Sequence, residues 1–239
     1  MSTSIKYSLI IPCYNEQKNL PKLFQACEKV VSQRDDLEII FVNNGSKDGS
    51  AGVFKKLLSN NHHGHMRCVT VKINRGYGFG ILSGLKTAHG LALGWTHADL
   101  QTNPDDFLKA IDVYETSSSP NCYIKGRRQR RALRDQIFTF AMSIFEFLIF
   151  GKWLSDINAQ PNLFSRDFFE SLDAPPHDFS LDLYFYVSAL QRNLSIQRFP
   201  VFFGNREHGI GHNDAISSKI KLSLTTIRYS LMLKSKLIR

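Results

Sequence analysis

Three short polar segments each follow an apolar run that is predicted to be a buried strand. They are Tyr14-Asn15-Glu16, Asn43-Asn44-Gly45-Ser46 and His97-Ala98-Asp99-Leu100-Gln101. If the strands are parallel, their carboxyl ends meet at one edge of the sheet, where α/β proteins bind ligands. A carboxylate such as Asp99 in that place suits a divalent cation that binds a diphosphate. Asp99 alone could be the cap of a turn, so its significance comes from the other two segments.

The elements that position these segments alternate between strands and helices. Apolar runs predict strands at Tyr7–Pro12, Leu37–Val42, Val69–Ile73 and Leu91–Thr96. Helices are predicted at Lys18–Ser32, at Asp48–Leu58, around Gly80–Thr87 and from about Pro104 onward. This alternation implies right-handed crossovers and a largely parallel sheet, so the predicted fold class is α/β.

The sequence changes character after Gly126. An arginine cluster, made of Arg127, Arg128, Arg130, Arg131 and Arg134, precedes the apolar segment Ile137–Phe150. As a helix this segment would be about 21 Å long, which is short of the roughly 30 Å hydrocarbon core of a bilayer. Two interpretations stay open: a core helix, or a helix in a membrane interface beside the arginines. The C-terminal segment Ile216–Leu237 is also basic and amphipathic. These features favour the binding of an acceptor or a partner by the second half of the chain.

The composition limits the class of protein. A chain of 239 residues can bury a full core, and an α/β unit of this size often forms one domain. The four cysteines show neither metal-ligand spacing nor a disulfide framework, which indicates a reducing compartment. The N-terminus lacks the apolar core of a signal peptide, and no apolar run is long enough to span a bilayer. A net charge of +9 favours an anionic partner: nucleic acid, nucleotide, lipid phosphate or a membrane surface.

Four motifs occur in an order that a known family shares. They are Ile11-Pro12-Cys13-Tyr14-Asn15-Glu16, Val42-Asn43-Asn44-Gly45-Ser46-Lys47-Asp48-Gly49-Ser50, Asn74-Arg75-Gly76-Tyr77-Gly78 and Ala98-Asp99-Leu100-Gln101. A more diffuse similarity runs through Gly126-Arg127-Arg128, Asp156 and Asn162-Leu163-Phe164 to Arg206-Glu207-His208-Gly209. On these residues, the chain resembles the family 2 glycosyltransferases of GT-A fold, especially the branch that contains dolichyl- and polyprenyl-phosphate sugar synthases.

The resemblance implies a single GT-A domain over residues 1–239, with a mostly parallel central sheet flanked by helices and with C-terminal amphipathic helices. Residues 1–125 would bind the nucleotide sugar, and residues 126–239 would face the acceptor and the membrane. The implied reaction is an inverting transfer of a sugar from a nucleoside-diphosphate sugar to a lipid phosphate or a surface glycan, assisted by Mg²⁺ or Mn²⁺. The implied location is the cytoplasm, peripherally at an anionic membrane surface, and a membrane protein or a second copy is a further possible partner.

The resemblance also implies roles for individual residues. For the nucleotide sugar these are Pro12, Tyr14, Glu16, Asn44, Gly76, Ala98, Asp99 and Arg206. For an acceptor phosphate they are Arg128, with Arg131 and Arg134 as helpers. For the metal they are Asp99, Gln101 and His97. The predicted catalytic residues are Asp99, Arg128 and Asp156, and Asp156 would be a general base only for a sugar hydroxyl, because a phosphate acceptor is already an anionic nucleophile.

Two departures from the family pattern leave alternatives open. His97 occupies a position that is commonly acidic and is either a metal ligand or a hydrogen-bonded structural side chain. The pair Asn43-Asn44 also replaces acidic residues, which affects the preferred base. One alternative function is a catalytically impaired homologue that binds a nucleotide sugar without turnover. Nucleic-acid binding is allowed by the charge, but the sequence has no recognised nucleic-acid motif or aromatic stacking platform, so no nucleic-acid partner is expected.

Overall fold

Strands and helices alternate through the first half of the chain. A computed structural model describes residues 4–59, 64–117, 119, 121–129, 133–204 and 216–237. The first elements are β1 (Tyr7–Cys13), α1 (Leu20–Val31), β2 (Leu37–Asn44), α2 (Ser50–Ser59), β3 (Met66–Val71), α3 (Tyr77–Leu85), β4 (Ala92–Trp95) and α4 (Asp106–Thr116). Each predicted strand and helix of this half is present, with ends shifted by a few residues.

The second half contains three strands and four helices, two of which are the longest helices that the structure describes. Its elements are β5 (Cys122–Gln129), α5 (Leu133–Phe150), β6 (Asn162–Ser165), α6 (Arg166–Glu170), α7 (Leu181–Gln191), β7 (Ser195–Phe202) and α8 (Ile216–Leu237). The apolar segment and the C-terminal segment singled out in the sequence are both helical, as α5 and α8. Four elements, β6, α6, α7 and β7, carry no clear signal in the sequence pattern.

In the described residues, seven strands form one sheet in the order β3-β2-β1-β4-β6-β5-β7. Every neighbouring pair is parallel except those of β6, which runs antiparallel to both β4 and β5. The strand order reverses between β1 and β4, and ligands of open α/β sheets bind beside such a switch point. The predicted α/β class with a mostly parallel sheet is therefore confirmed, and the loops after β1, β2 and β4 open at the same edge.

Two apolar layers cover the faces of the sheet. Strand β1 contributes Leu9 and Ile11 to one layer and Ile10 to the other, because successive side chains of a strand point to opposite faces. Helix α1 covers the first layer with a stripe at helical spacing. Its buried residues are Leu20, Leu23, Phe24, Cys27, Val30 and Val31. Helices α3 and α7 cover the second layer, so the edge loops rest on a core that is packed from both sides.

Helices α5 and α8 pack against each other and also expose apolar side chains. At their contact, the Ser230 hydroxyl donates to Oε1 of the buried Glu146 over 2.8 Å. Burial raises the pKa of Glu146 to about 7, although the hydrogen bond from Ser230 opposes this change. Exposed on α5 and α8 are Phe140, Ile144, Phe147, Leu148, Leu224, Leu231 and Met232. Among the helices that the structure describes, none combines the length and apolar character needed to cross a bilayer.

Candidate active site

The loops after β1 and β2 hold each other in place through side chains. The backbone N–H of Asn15 donates to the Ser46 hydroxyl over 3.0 Å, and the Lys47 N–H donates to Oδ1 of Asn15 over 2.8 Å. Asn15 has a positive φ of 58°, a conformation that asparagine tolerates better than most residues. These reciprocal bonds connect the first two polar segments predicted from the sequence, so their backbones form one continuous rim.

Both asparagines at the end of β2 are buried and oriented. Oδ1 of Asn43 accepts the N–H of Ser46 over 3.2 Å, and Nδ2 of Asn44 donates to the Gly76 carbonyl over 3.0 Å. Oδ1 of Asn44 has no hydrogen-bond partner among the described residues. A buried acceptor without a partner is costly unless a ligand or water meets it. The structure thus brings together Asn44 and Gly76, which the resemblance had assigned to the nucleotide sugar.

A cleft of about 850 Å³ opens beside this rim and is lined by Tyr14, Gly45, Ser46, Lys47, Lys72, Ile73 and Asn74. Gly45 has a φ of +70°, and a Cβ on it would lie 2.4 Å from the Asn74 backbone nitrogen. Glycine is therefore required for the β2 loop to contact the segment after β3. Tyr14 is exposed in the cleft, Pro12 is half-buried in β1, and Glu16 accepts the Asn19 amide over 2.6 Å at the start of α1.

Asp99 lies in the loop after β4 with only 7% of its surface exposed. Its Oδ1 accepts the N–H of Gln101 over 3.1 Å. Gln101 is in turn bound twice to Gly204, which follows β7: Gly204 N–H donates to the Gln101 carbonyl over 2.8 Å, and Gln101 Nε2 donates to the Gly204 carbonyl over 3.3 Å. Ala98 has its side chain in the apolar layer, so a ligand would meet only its backbone. The Asp99 loop is thus attached to the end of β7.

His97 is half-buried and belongs to a row of aromatic rings. Its ring centroid is 5.6 Å from that of Tyr77, which stacks on Phe179 at 4.7 Å. This packing supports a structural role for His97. Its role as a metal ligand stays a prediction.

The residues around Asp99 fit a divalent cation that the substrate helps to hold. In the part of the chain that the structure describes, no three His, Cys, Asp or Glu side chains form a preassembled metal site. Mg²⁺ needs no such cluster, since it keeps several waters and uses one or two carboxylates together with substrate phosphates. Asp99 and Gln101 supply a carboxylate and an amide group of the required chemistry. The donor set therefore fits Mg²⁺ or Mn²⁺ bound together with a diphosphate.

Arg128, at the end of β5, is paired with Asp156. Its Nε and Nη2 lie 2.8 and 2.7 Å from Oδ1 of Asp156, and its backbone N–H donates to Oδ2 over 2.9 Å. The guanidinium also lies over the ring of Phe203 at 5.3 Å. A cleft of about 560 Å³ adjoins the pair and is lined by Arg128, Thr139, Met142, Ser143, Asp156, Ile157, Asn158, Phe179, Leu183 and Thr226. Arg128 and Asp156 are thus brought together at a second cleft.

Three predicted site residues cannot be placed. Arg131 and Arg206 lie outside the described residues, and Arg134 belongs to α5 with a side chain that also lies outside them.

Gly204, which is hydrogen-bonded to Gln101, is two residues before Arg206 in the sequence. Phe203, which contacts Arg128, is the neighbour of Gly204, so residues 203 and 204 connect the Asp99 loop with the Arg128 pair.

A largely buried polar network, for which the sequence gives little signal, is bonded to the turn that contains Asp156 and Ala159. It contains Tyr77, Tyr123, Lys125, Gln160, Asn162 and Asp182. A sequence signal exists in Lys125, since a lysine in the apolar strand Cys122–Gly126 would have to be buried. Its partners could not be identified, because they lie far along the chain.

Comparison with known proteins agrees with this geometry. Residues 8–171 match the family described as Glycosyl transferase family 2. An undecaprenyl-phosphate 4-deoxy-4-formamido-L-arabinose transferase of Pseudomonas fluorescens (strain Pf0-1) is 33% identical over 130 residues, which are 53% of this chain and 37% of that protein. A dolichyl-phosphate beta-glucosyltransferase of Dictyostelium discoideum is 26% identical over 180 residues, which are 69% of this chain and 55% of that protein. The chain thus spans roughly a third to a half of the length of these curated relatives.

Solved structures share the fold at low sequence identity. A mannosyltransferase from Pyrobaculum calidifontis, in complex with GDP-Man and Mn²⁺, superposes with a TM-score of 0.70 and 16% identity, covering 97% of this chain and 65% of that chain. Glucosyl-3-phosphoglycerate synthase from Mycobacterium tuberculosis, in complex with Mn²⁺, UDP and phosphoglyceric acid, gives 0.73 and 16%, covering 96% of this chain and 78% of that one. The fold is the GT-A fold, and the chain belongs to glycosyl transferase family 2.

Proposed function

We propose that this protein transfers a sugar from a nucleoside-diphosphate sugar to a lipid phosphate, by a single displacement that inverts the anomeric carbon. The observation that carries the proposal is the connection between the Asp99 loop and the second cleft. Gln101, beside Asp99, is hydrogen-bonded to Gly204, and the neighbouring Phe203 lies under the Arg128 guanidinium. A donor diphosphate bound at the Asp99 loop and an acceptor in the second cleft would meet at this junction.

On the donor side, the nucleoside packs on Tyr14 in the cleft formed by the rim. Oδ1 of Asn44 offers an acceptor to the base or the ribose, because it has no partner within the described part of the chain. Glu16 offers a carboxylate at the same edge, and the backbone around Gly76 and Ala98 closes the binding surface. Arg206 stays the proposed partner of the diphosphate, since it follows the anchored Gly204.

Asp99 and Gln101, with His97 as a further candidate, would hold the divalent cation. Such a cation neutralises negative charge that develops on the departing nucleoside diphosphate. The chain's own contribution is the rigid Asp99 loop, whose turn is stabilised by the bond from Gln101 N–H to Asp99. That rigidity orients the carboxylate before the donor arrives, so little reorganisation is needed during the reaction.

On the acceptor side, the Arg128–Asp156 pair favours a phosphate over a sugar hydroxyl. Asp156 lines the second cleft, but both of its carboxylate oxygens accept hydrogen bonds from Arg128, which disfavours a role as a general base. A phosphate monoester needs no such base, because it is already an anionic nucleophile. The planar guanidinium, held in one orientation by Asp156, suits phosphate oxygens. Arg131 and Arg134 are proposed as helpers.

The exposed apolar side chains of α5 and α8 support peripheral binding to a membrane that carries the acceptor. Phe140 and Phe147 lie 5.6 and 6.2 Å from the ring of Trp153, and all three are exposed to solvent. Aromatic side chains are suited to the interface between headgroups and acyl chains. With a net charge of +9, the protein would prefer an anionic surface. In this proposal residues 1–125 bind the donor, and residues 126–239 bind the acceptor and the membrane.

The decisive experiment incubates the protein with UDP- and GDP-sugars, Mn²⁺, and either undecaprenyl phosphate or dolichyl phosphate. We expect acceptor-dependent release of the nucleoside diphosphate together with a glycolipid whose anomeric configuration is inverted. Release of the nucleoside diphosphate without an acceptor would indicate hydrolysis of the donor. Glucose oligomers in place of the lipid phosphate would test a glycan acceptor. Absence of nucleoside-diphosphate release with every donor and acceptor would contradict the proposal.

A further inference from the structure

The side chain of Lys125, three residues before Arg128 in β5, is completely buried. Its Nζ donates to the Ala159 carbonyl and to Oδ1 of Asn162, both over 2.9 Å, and lies 4.0 Å from Oδ1 of Asp182. Burial of an amine is costly unless hydrogen bonds and an opposite charge compensate for the lost water. The two hydrogen bonds and the nearby carboxylate of Asp182 therefore compensate for the burial of the Lys125 amine.

Burial lowers the pKa of Lys125 to about 7, although the charge of Asp182 opposes this change. The amine keeps N–H groups in either protonation state, so it can donate to Ala159 at neutral pH whether or not it is charged. Its bond to the Ala159 carbonyl is therefore expected over the whole physiological pH range.

The turn that carries Asp156 is held at three points by basic side chains. Arg198 donates to the Ser155 carbonyl over 2.9 Å, Arg128 binds Asp156 itself, and Lys125 binds the Ala159 carbonyl. Asp156 has a φ of +54°, which residues other than glycine adopt only where the surroundings hold them. The three contacts come from β5 and β7, so the sheet imposes the conformation of the turn.

The network also reaches the aromatic row beside Asp99. Gln160 Nε2 donates to Oδ1 of Asp182 over 2.9 Å and to the Tyr77 hydroxyl over 3.3 Å. The ring of Tyr77 lies against His97. A continuous chain of contacts therefore connects Lys125 with both ends of the proposed active site, and its bond to the Ala159 carbonyl is the one that reaches the Asp156 turn directly.

We propose that Lys125 is a positioning residue for the acceptor, which holds the Asp156 turn so that Asp156 orients the Arg128 guanidinium. The proposal rests on the proposed function for the role of Arg128 in binding the acceptor. Lys125 has no surface exposure, so it acts through Asp156 and Arg128 and does not touch the substrate.

The test compares three variants. Lys125→Met alone leaves Asp182 as a buried charge without its cation and could fail to fold, so the main variant is Lys125→Met/Asp182→Asn, which removes both charges. Asp182→Asn alone retains the bond from Lys125 to Ala159. Lys55→Met, at an exposed position of α2, removes a lysine from a helix that does not carry the turn.

Two readouts distinguish positioning from a general structural role. We expect the double variant to raise the KM for undecaprenyl phosphate at least fivefold while the KM for the nucleotide sugar changes less than twofold. Hydrogen exchange at the Ala159 amide, which donates to the Asp156 carbonyl, should become at least tenfold faster in the double variant. Neither change is expected in Lys55→Met.

Unchanged exchange at Ala159 in a folded double variant would overturn the proposal. Parallel rises in the two KM values would also overturn it, because they would indicate general loosening. If the wild-type protein shows no transfer, the proposed function fails, and the exchange measurement alone still decides whether Lys125 holds the turn.

Discussion

Arg128 binds both carboxylate oxygens of Asp156, one through its guanidinium and the other through its own backbone N–H. Arg128 thus fixes the orientation of the Asp156 carboxylate at both of its oxygens. Two side chains that had been assigned separate catalytic roles from the sequence are partners in the structure. The pair is better suited to present a cation to an anionic acceptor than to remove a proton from a hydroxyl.

Arg128→Ala should raise the KM for the lipid-phosphate acceptor by roughly 10- to 100-fold, because it removes charge-assisted hydrogen bonds of about 1.5–3 kcal/mol. Binding of the nucleoside diphosphate, measured by calorimetry, should change little. The control is Arg192→Ala, which removes an exposed arginine at the end of α7. Weaker nucleotide binding with an unchanged acceptor KM would place Arg128 in the donor site instead.

Asp99→Asn should lower turnover roughly 100-fold or more. The substitution removes the carboxylate proposed to hold the cation that neutralises negative charge on the leaving diphosphate, and the loss of one preorganised stabilising group costs about this much. The amide keeps the size of the carboxylate, so the melting temperature should be close to that of the wild type. Asp112→Asn, in the exposed part of α4, is the matched control.

The same variant tests the metal. Excess chelator should abolish wild-type turnover and have little further effect on Asp99→Asn, and His97→Asp should shift the preference from Mn²⁺ toward Mg²⁺. Full activity of Asp99→Asn, or of the wild type in chelator, would exclude a metal-assisted reaction.

Trp153 should report membrane binding by its fluorescence. Its side chain is 49% exposed beside Phe147, whereas Trp95 is fully buried and gives a constant background. Addition of anionic liposomes should shift the emission to shorter wavelength, and salt should weaken the effect because it screens the charges.

Phe147→Ser should reduce liposome binding about tenfold or more, since a buried large apolar side chain contributes roughly 1.5–3 kcal/mol. Leu91→Ser is the control, because Leu91 is 67% exposed and directly precedes β4 at the opposite end of that strand from Asp99. Equal losses in both variants would show that the α5 surface has no special role.

Glu146→Gln should stabilise the protein by about 1–2 kcal/mol at pH 8. The pKa of Glu146 is raised from 4.5 to about 7 by burial, so between these pH values the folded protein holds a proton that the unfolded chain has released. The contribution of Glu146 to stability therefore falls as the pH rises through this window. Below about pH 4 the carboxyl is protonated in both states, and the gain should disappear.

Urea unfolding at pH 8 and pH 4 measures this difference directly. Glu170→Gln serves as the control, because the Glu170 side chain is 61% exposed and its replacement should have little effect at either pH. A destabilised Glu146→Gln at pH 8 would mean that the ionised carboxylate has a favourable partner there.

The first half of the fold and its polar edge were predictable because the signals are local. Apolar runs alternate with helical stripes such as that of α1, and each run ends in a polar segment. Because the strands are parallel, Asn44 and Asp99 can be placed at the same edge of the sheet before any contact between them is known. The ends of β3 and β4 differ from the prediction by up to a few residues, because the exposed apolar residues Ile73 and Leu91 continue the apolar pattern beyond the paired strands.

The second half was less predictable because its order depends on contacts between distant residues. β6 has only four residues and runs against its neighbours, which no short pattern reveals. Arg128 and Asp156 are 28 positions apart in the sequence, and only the folded sheet brings them together. Lys125 was missed for the same reason: its partners Ala159 and Asp182 lie on later elements that the sequence pattern did not define.

The close contact between Gly80 and Asn44 limits which side chains positions 44 and 80 can carry. A Cβ at position 80 would lie 2.7 Å from Nδ2 of Asn44, so the two positions share one fixed volume. Exchange of Asn44 for Asp would keep the size of the side chain but would replace the Nδ2–H group that donates to the Gly76 carbonyl with an acceptor, whereas any larger side chain would require α3 to move. Both the size and the hydrogen-bonding groups of position 44 are therefore constrained by the start of α3.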